Sequence, residues 1–341
     1  MKPLISVVIS SYNAEDYIEE CLNSILNQTF QQWECVIVND GATDKTPLII
    51  QQFVDKDPRF SLYTIPNTGS GKIPFDLGIT YAKADWIFDM AHDDFIDTDT
   101  LEKLYNRALE TNADTVCLRM CSFQKHDINI SFMCPSLDFP MDQIITGREA
   151  FLLTIPTWKI GLNGVMSKRE IWNSRTFFDT NRMDADEYDG REMILNSKIV
   201  AFADTNYHYR LHPESISLKP SMKHFDCLIT DKLTEELIQK NSDQTQVDLW
   251  RQERFKNIII AENLLWTSGN LFSKKERREA KKIIKKHYLD LDKKHIYENS
   301  RKKRFLYTKW YFLFSFTIHH HEKVWLIIQK LKLDKIYKTI K

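Results

Sequence analysis

Over its first 120 residues the chain alternates short apolar, β-branched runs with segments of helical periodicity, and no other feature restricts the fold as much. Residues 5–10 (ISVVIS) form a continuous apolar run that stops at Ser-Ser-Tyr-Asn, which reads as a buried strand. Residues 14–28 then place Tyr17, Ile18, Cys21, Leu22, Ile25 and Leu26 at the i, i+3, i+4 spacing of an amphipathic helix. Further strands are predicted at 34–39, 60–65, 86–90 and 114–119, and helices near 46–55, 75–82 and 100–112. Strands and helices alternating at this spacing imply βαβ units. The expected fold is therefore α/β, a Rossmann-like, mostly parallel sheet with helices on both faces. Ligands of such sheets bind beyond the carboxyl ends of the strands, so the residues following each strand are the ones that bear on function.

Residues 120–215 are mixed and less periodic. From about residue 225 the pattern is mostly helical, with a segment at 243–271 and a Lys/Arg-dense helix at 274–288. The last forty residues combine a basic cluster (301–304, RKKR), an aromatic run (310–316, WYFLFSF) and a final amphipathic stretch (324–341) with Trp325, Ile328 and Leu331 on one face. The formal net charge of zero hides an asymmetry, because residues 273–341 hold 21 Lys/Arg against 7 Asp/Glu. An acidic body with a basic region suggests an anionic partner for the latter. Six cysteines (Cys21, Cys35, Cys117, Cys121, Cys134, Cys227) show no paired spacing, so reduced, buried thiols are expected. The apolar run at the N-terminus is too short for a signal peptide and no stretch approaches a membrane span, so a cytosolic protein is expected. No GxGxxG follows a strand, which argues against a dinucleotide oxidoreductase. A nucleotidyltransferase would want a Gly-rich loop with Arg directly after the first strand, and Ser-Ser-Tyr-Asn is not that.

Three strand ends carry chemistry. Ser11-Tyr12-Asn13 follows the first strand, Asp40-Gly41-Ala42-Thr43-Asp44 the second and His92-Asp93-Asp94 the fourth. An aromatic ring and a carboxylate at neighbouring strand ends suit a flat heterocycle: Tyr12 can stack on a base and Asp40 can accept its ring N–H. Asp93 and Asp94 offer oxygens to Mg²⁺ or Mn²⁺ bridging phosphates. Taken singly, each of these residues is more often a turn, capping or surface residue, and their joint placement is what points to a nucleotide-diphosphate donor.

The opening, ISVVISSYNAEDYIEECLNSILNQTFQQWECVIVNDGATDKT, resembles the family-two inverting glycosyltransferases of GT-A fold, of the kind that build bacterial surface polysaccharides. The similarity runs to about residue 120 and more weakly to Ser217. It implies that Tyr12 and Asp40 contact the uracil of a UDP-sugar, with Ser10 and Asn13 beside them, and that Asp93 is the second acid of the DxD metal motif. The first acid is Ala91 here, and in the family's Gly-rich segment the usual Arg and Asn are Phe75 and Asp76. Lys72 is a candidate to supply the missing positive charge to the diphosphate. The acid-dense run Met183–Arg191 resembles the region holding the catalytic base, giving Asp186 as first choice and Glu187 as second, placed before an apolar helix at 193–199. Carboxylates there are also common helix-capping devices. The stretch Tyr207-His208-Tyr209-Arg210-Leu211-His212 resembles the family's Y-x-Y-R…H segment, which makes Arg210 a diphosphate ligand and His212 a third metal ligand or diphosphate donor. Trp158 suits stacking on a sugar face or plain packing.

The resulting expectation is a metal-dependent (Mn²⁺ or Mg²⁺) hexosyl- or N-acetylhexosaminyltransferase that moves a sugar from UDP to a hydroxyl of a polysaccharide or glycolipid. The alternative is a catalytically inactive sugar-nucleotide-binding or assembly scaffold. The expected domains are 1–220 for the catalytic fold (1–120 for the nucleotide, 121–220 for the acceptor) and 221–341 for a helical basic region. Basic residues interleaved with aromatics fit a helix lying on an anionic leaflet, in preference to an RNA-binding surface or a dimer helix. This places the protein in the cytoplasm, peripheral at the inner face of the cell membrane, with no nucleic-acid partner and homo-oligomerisation left open.

Overall fold

The computed structural model describes residues 2–124, 127–130, 139–161, 164–176, 182–212 and 219–292, together with Tyr311 and Ser315. The chain divides into two compact units, residues 1–215 and 216–341.

The first unit is built on a ten-stranded mixed sheet in the order β3-β2-β1-β4-β9-β6-β10-β5, with β7 on β6 and β8 on β10. Strands β1 (Ile5–Ser11), β2 (Trp33–Asn39), β3 (Phe60–Thr64) and β4 (Trp86–Ala91) are parallel, as the alternating pattern requires. They are joined through helices α1 (Ile18–Leu26), α2 (Thr46–Lys56) and α3 (Lys72–Tyr81). After β5 (Phe95–Ile96), helix α4 (Thr100–Thr111) leads into β6 (Thr115–Gln124) and β7 (Asp127–Ile130). The mixed segment then contributes β8 (Ile144–Thr146), α5 (Gly147–Leu152), β9 (Met166–Lys168), α6 (Arg169–Asn173), α7 (Ala185–Asn196) and β10 (Ile199–Arg210). Strand β9 runs antiparallel to β4 and β6, while β6 and β10 are parallel to each other.

Strand alternation sends successive side chains to opposite faces. Ile5, Val7 and Ile9 bury against Ile18, Leu22, Ile50 and Leu101 of the helices on one face. Val8 meets α3 on the other, where a Cβ on Gly78 would lie 2.5 Å from the Val8 Cγ1, so only glycine lets this helix sit so close to the sheet.

Helix α1 starts later than its pattern suggests. The Ala14 N–H donates to Thr46 Oγ1 (2.7 Å) and the Glu15 N–H to Asp44 (3.0 Å), so residues 14–17 form a turn bound to the next loop. Helix α7 starts earlier than expected: the acid-dense run lies inside it, and Ile199 opens β10 instead of ending a helix. Asp186 and Glu187 thus occupy the first helical turn, where the helix dipole favours negative charge. Of the cysteines, Cys21, Cys35, Cys117 and Cys121 are buried, Cys227 is half-buried, and Cys134 lies outside the described residues.

The second unit packs α8 (Lys223–Asn241), α9 (Gln244–Thr267) and α10 (Lys274–Asp290) around Phe225, Phe255, Ile258, Ile284 and Tyr288. Ser273 caps α10 in a reciprocal box with Glu276. The buried Glu262 of α9 accepts hydrogen bonds from Tyr311 (2.7 Å) and Ser315, so these two residues of the aromatic run turn into the helical core. The clusters at 301–304 and 324–341 lie outside the described residues. No helix among the described residues is long and apolar enough to cross a membrane.

Candidate active site at the carboxyl edge of the parallel strands

The pairing register assembles the site. Ser10 pairs with Ala91 across β1–β4 and Ser11 with Asn39 across β1–β2, so Tyr12, Asp40 and His92 leave the sheet side by side. The loops that follow are tied together. The Asp40 N–H donates to the Ser11 carbonyl (2.8 Å), and Asp40 Oδ1 accepts the Thr68 N–H (2.8 Å). Asn13, at φ 44°, accepts the Thr43 N–H (2.8 Å). Gly41, at φ +68°, allows the Asn67 backbone an approach that a Cβ would block at 2.6 Å. Asp40 is buried and Tyr12 is exposed, which leaves the Tyr12 ring a face for a ligand. Ser10 reaches the same edge, and its carbonyl contacts the His92 Nδ1 at 3.0 Å.

The fourth-strand acids differ sharply. Asp93 is partly open and its Oδ2 lies 2.9 Å from the His212 Nε2. Asp94 is buried, accepting the Tyr207 hydroxyl (2.7 Å) and the Arg210 N–H (2.8 Å). Burial and the neighbouring Asp93 charge push the Asp94 carboxyl well up. The Tyr207 hydroxyl in turn accepts the Ala91 N–H (3.0 Å), a link from β10 to the loop that holds the acids. Arg210 donates through Nε to the Asp93 carbonyl (2.7 Å), pairs with Glu20 and lies over the Phe123 and Tyr17 rings. Tyr17 also packs on the His212 ring at 4.6 Å between centroids.

On α7, Asp186 faces solvent and, among the described residues, no cation pairs with it. The protein crowds round it closely enough that desolvation, assisted by the Glu187 charge, pushes its carboxyl up to about 6. Glu187 is held differently, paired with Arg191 at 2.9 Å and accepting the Trp158 Nε1–H at 3.2 Å. The Arg191 guanidinium lies 4.3 Å from the Trp158 ring centroid, so one face of that ring is occupied. Lys72 points to carboxylates, 2.6 Å from both Asp76 and Asp189. Asp89, on β4, is pushed up to about 7, first by burial and then by the charge of Asp186.

As a seat for a divalent cation the edge offers Asp93 and the His212 imidazole, whose Nε2 faces the Asp93 carboxylate. Ala91 contributes no side-chain ligand, and Asp94 is buried with one donor already on each oxygen. No group of three or more His, Cys, Asp or Glu able to hold a metal occurs among the described residues. Two protein ligands suit a Mg²⁺ or Mn²⁺ ion that takes its other oxygens from substrate phosphates and water.

The sequence profile of glycosyl transferase family 2 matches residues 6–136, which span these strand ends. Over 227 residues the chain is 31% identical to the glycosyltransferase GlyG of Streptococcus pneumoniae, covering 63% of this chain and 73% of GlyG. The chain belongs to glycosyl transferase family 2. Two further curated relatives, an uncharacterized glycosyltransferase of Haemophilus influenzae and the glycosyltransferase GlyA of Streptococcus pneumoniae, match over 44% and 34% of their own length. Among solved structures, S. aureus TarS 1–349 in complex with UDP-GlcNAc superimposes with a TM-score of 0.69 at 16% identity, over 95% of this chain and 92% of that one. The mannosyltransferase PcManGT of Pyrobaculum calidifontis, in complex with GDP-Man and Mn²⁺, gives 0.53 at 15% identity over 92% and 86%. These structural likenesses establish the GT-A fold of this family 2 glycosyltransferase.

Glu20, Tyr17, Asp89 and Arg175, the last paired with Asp76 and Asp189, take part in the arrangement without a motif that marks them for the site, and Tyr207 does so in a role its motif does not indicate. Asp89 had a signal, an acid inside the apolar strand Trp-Ile-Phe-Asp-Met-Ala. Arg175 had none, because its partners lie on other elements.

Proposed function

We propose that this glycosyltransferase moves a hexosyl or N-acetylhexosaminyl group from a UDP-sugar to a hydroxyl of a saccharide or glycolipid, with inversion. The observation that carries this reading is the register of β1 with β2 and β4, which brings Tyr12, Asp40 and the Asp93 loop to one edge. Tyr12 stacks on the uracil, and Asp40 uses the oxygen not taken by Thr68 to accept its N–H. Asp93 and His212 would hold Mn²⁺ or Mg²⁺, which when bound offsets charge on the departing diphosphate. Arg210 fixes the Asp93 backbone and adds positive charge beside it, and Asp94, through Tyr207 and the Arg210 N–H, sets the loop. Asp186 takes the proton of the acceptor hydroxyl. An unpaired carboxyl at about 6 is largely ionised at neutral pH and still basic enough to accept a proton. Glu187 is the weaker candidate, being engaged by Arg191 and Trp158.

The decisive experiment is thermal stabilisation by a panel of UDP-, GDP- and dTDP-sugars with and without Mn²⁺, followed by hydrolysis of the stabilising donor. Stabilisation by UDP-sugars with slow, Mn²⁺-dependent hydrolysis is the expected result. A preference for GDP- or dTDP-sugars refutes the donor assignment, and binding without any hydrolysis refutes catalysis.

For the acceptor side we propose an anionic membrane surface. Exposed Lys274, Arg278, Lys281 and Lys285 form one stripe along α10 at i, i+4, i+7, i+11. A cytoplasmic protein peripheral at the inner face of the membrane fits that stripe.

A further inference from the structure

The two departures at Phe75 and Asp76 have a structural counterpart on the face of the sheet that carries α3. Lys72 and Asp76, one turn apart on α3, meet Arg175, which follows α6, and Asp189 of α7. Lys72 Nζ lies 2.6 Å from Asp76 Oδ2 and 2.6 Å from Asp189 Oδ2. Arg175 lies 2.7 Å from Asp76 Oδ1 and 2.8 Å from Asp189 Oδ2. Each cation thus bridges both carboxylates, and the four side chains close a ring whose members are 4–14% exposed. Arg175 is itself fixed, donating through Nε to the Trp172 carbonyl (2.8 Å) with its guanidinium 4.7 Å from the Trp172 ring centroid. Phe75 packs edge-on against that same ring, at 5.2 Å between centroids. The aromatic and the acid that replace Arg and Asn on α3 therefore both serve Arg175.

The ring joins the two elements whose relative position matters for transfer. Helix α3 begins directly after the loop of Thr68, Gly69 and Ser70, which is tied to Asp40. Asp189 lies one helical turn beyond Asp186 on α7. We propose that Lys72, Asp76, Arg175 and Asp189 are positioning residues that fix the Asp186 carboxylate relative to the donor loop and set the charge around it, with Arg175 as the pivotal member. This rests on the assignment of Asp186 as base. The charged and titratable groups around Asp186 and Asp189 are Asp89 of β4, Lys72 and Asp76 of α3, Arg175, Glu187 of α7, and Tyr209 of β10. Arg175 is the cation acting on both Asp89 and Asp189, and the Asp189 charge acts on Asp186. Without Arg175 the negative charge near Asp186 is less compensated, which makes its ionisation harder.

The test measures hydrolysis of the stabilising UDP-sugar against pH, with UDP binding followed by thermal shift, in Arg175→Met, Arg175→Lys, Asp76→Asn and Asp186→Asn. Arg175→Met is expected to lower kcat about 10- to 100-fold, as misplacement of a reacting group does, while UDP affinity stays within about 2-fold. Its acid-limb midpoint is expected to rise, whereas that of Asp76→Asn, which removes a negative charge, is expected to fall. Arg175→Lys should recover part of the lost kcat. Should Arg175→Met fail to fold, the downward midpoint shift in Asp76→Asn decides. An unchanged kcat and midpoint in Arg175→Met, an equal loss of UDP binding, or no shift in Asp76→Asn would overturn the proposal. If Asp186→Asn is inactive while Arg175→Met matches the parent, the ring proposal alone fails. If Asp186→Asn retains turnover, the base assignment fails and the ring proposal falls with it.

Discussion

Asp186 and Glu187 are adjacent acids with opposite circumstances, and the difference predicts which of them reacts. Glu187 is paired with Arg191, so its charge is spent on structure; Asp186 is unpaired and raised to about 6. Asp186→Asn is expected to reduce donor hydrolysis by about 100-fold or more with UDP affinity near normal, whereas Glu187→Gln should cost far less. Because the carboxyl must be ionised to act, kcat should fall as pH drops through about 6. Asp89 gives a separate stability prediction. Its carboxyl is raised to about 7 in the fold against an ordinary 3.8 when unfolded, so between those values the folded chain binds more protons and loses stability as pH rises. Asp89→Asn should therefore raise the melting temperature at pH 8, by about 2–4 °C for each kcal/mol recovered, and do much less at pH 4. Equal shifts at both pH values would contradict this. Tyr207→Phe removes one of the two donors that hold buried Asp94 and should cost about 1–3 kcal/mol, read by denaturant unfolding.

The elements show which parts of the sequence were readable. The parallel strands followed from continuous apolar runs, and α2 to α4 from 3.6-residue periodicity, because both signals are local and both elements bury a face predictably. Helix α1 starts later than its periodicity implies because Ala14 and Glu15 spend their N–H groups on Thr46 and Asp44, long-range bonds that no local pattern encodes. Strand β9, three residues long, is fixed only by its antiparallel neighbours β4 and β6. Ile199 looked helical in isolation, yet it opens β10, whose next residue Val200 pairs with Thr115 of β6. At the site, the residues after β1, β2 and β4 could be read from motif order. Lys72 reads as a diphosphate ligand from motif position, whereas its salt link to Asp189 depends on a residue far along the chain. The contact of α3 with the sheet is testable directly: Gly78→Ala, which brings a Cβ against Val8, should destabilise by about 1–3 kcal/mol by differential scanning calorimetry.

Across the molecule, charge is segregated along the sequence, with 21 basic residues against 7 acidic ones beyond residue 272. The proposed adsorption to anionic surfaces is expected to be salt-sensitive, since such attraction is screened over about 8–10 Å in physiological salt. Replacing Lys281 and Lys285 by Glu should abolish flotation with anionic liposomes at low salt while leaving UDP binding intact; flotation equal to the parent would remove the membrane assignment. Shortening the chain is a poorer route to the same answer. Tyr311 and Ser315 both donate to the buried Glu262 carboxylate inside the helical unit, so a protein ending near residue 300 would remove two hydrogen bonds from a buried anion. Such a deletion would report on the integrity of that helical bundle before it reported on lipid. Tyr311 and Ser315 thus act as a plug for the helical unit, and reversing surface charge on α10 probes lipid contact without pulling that plug.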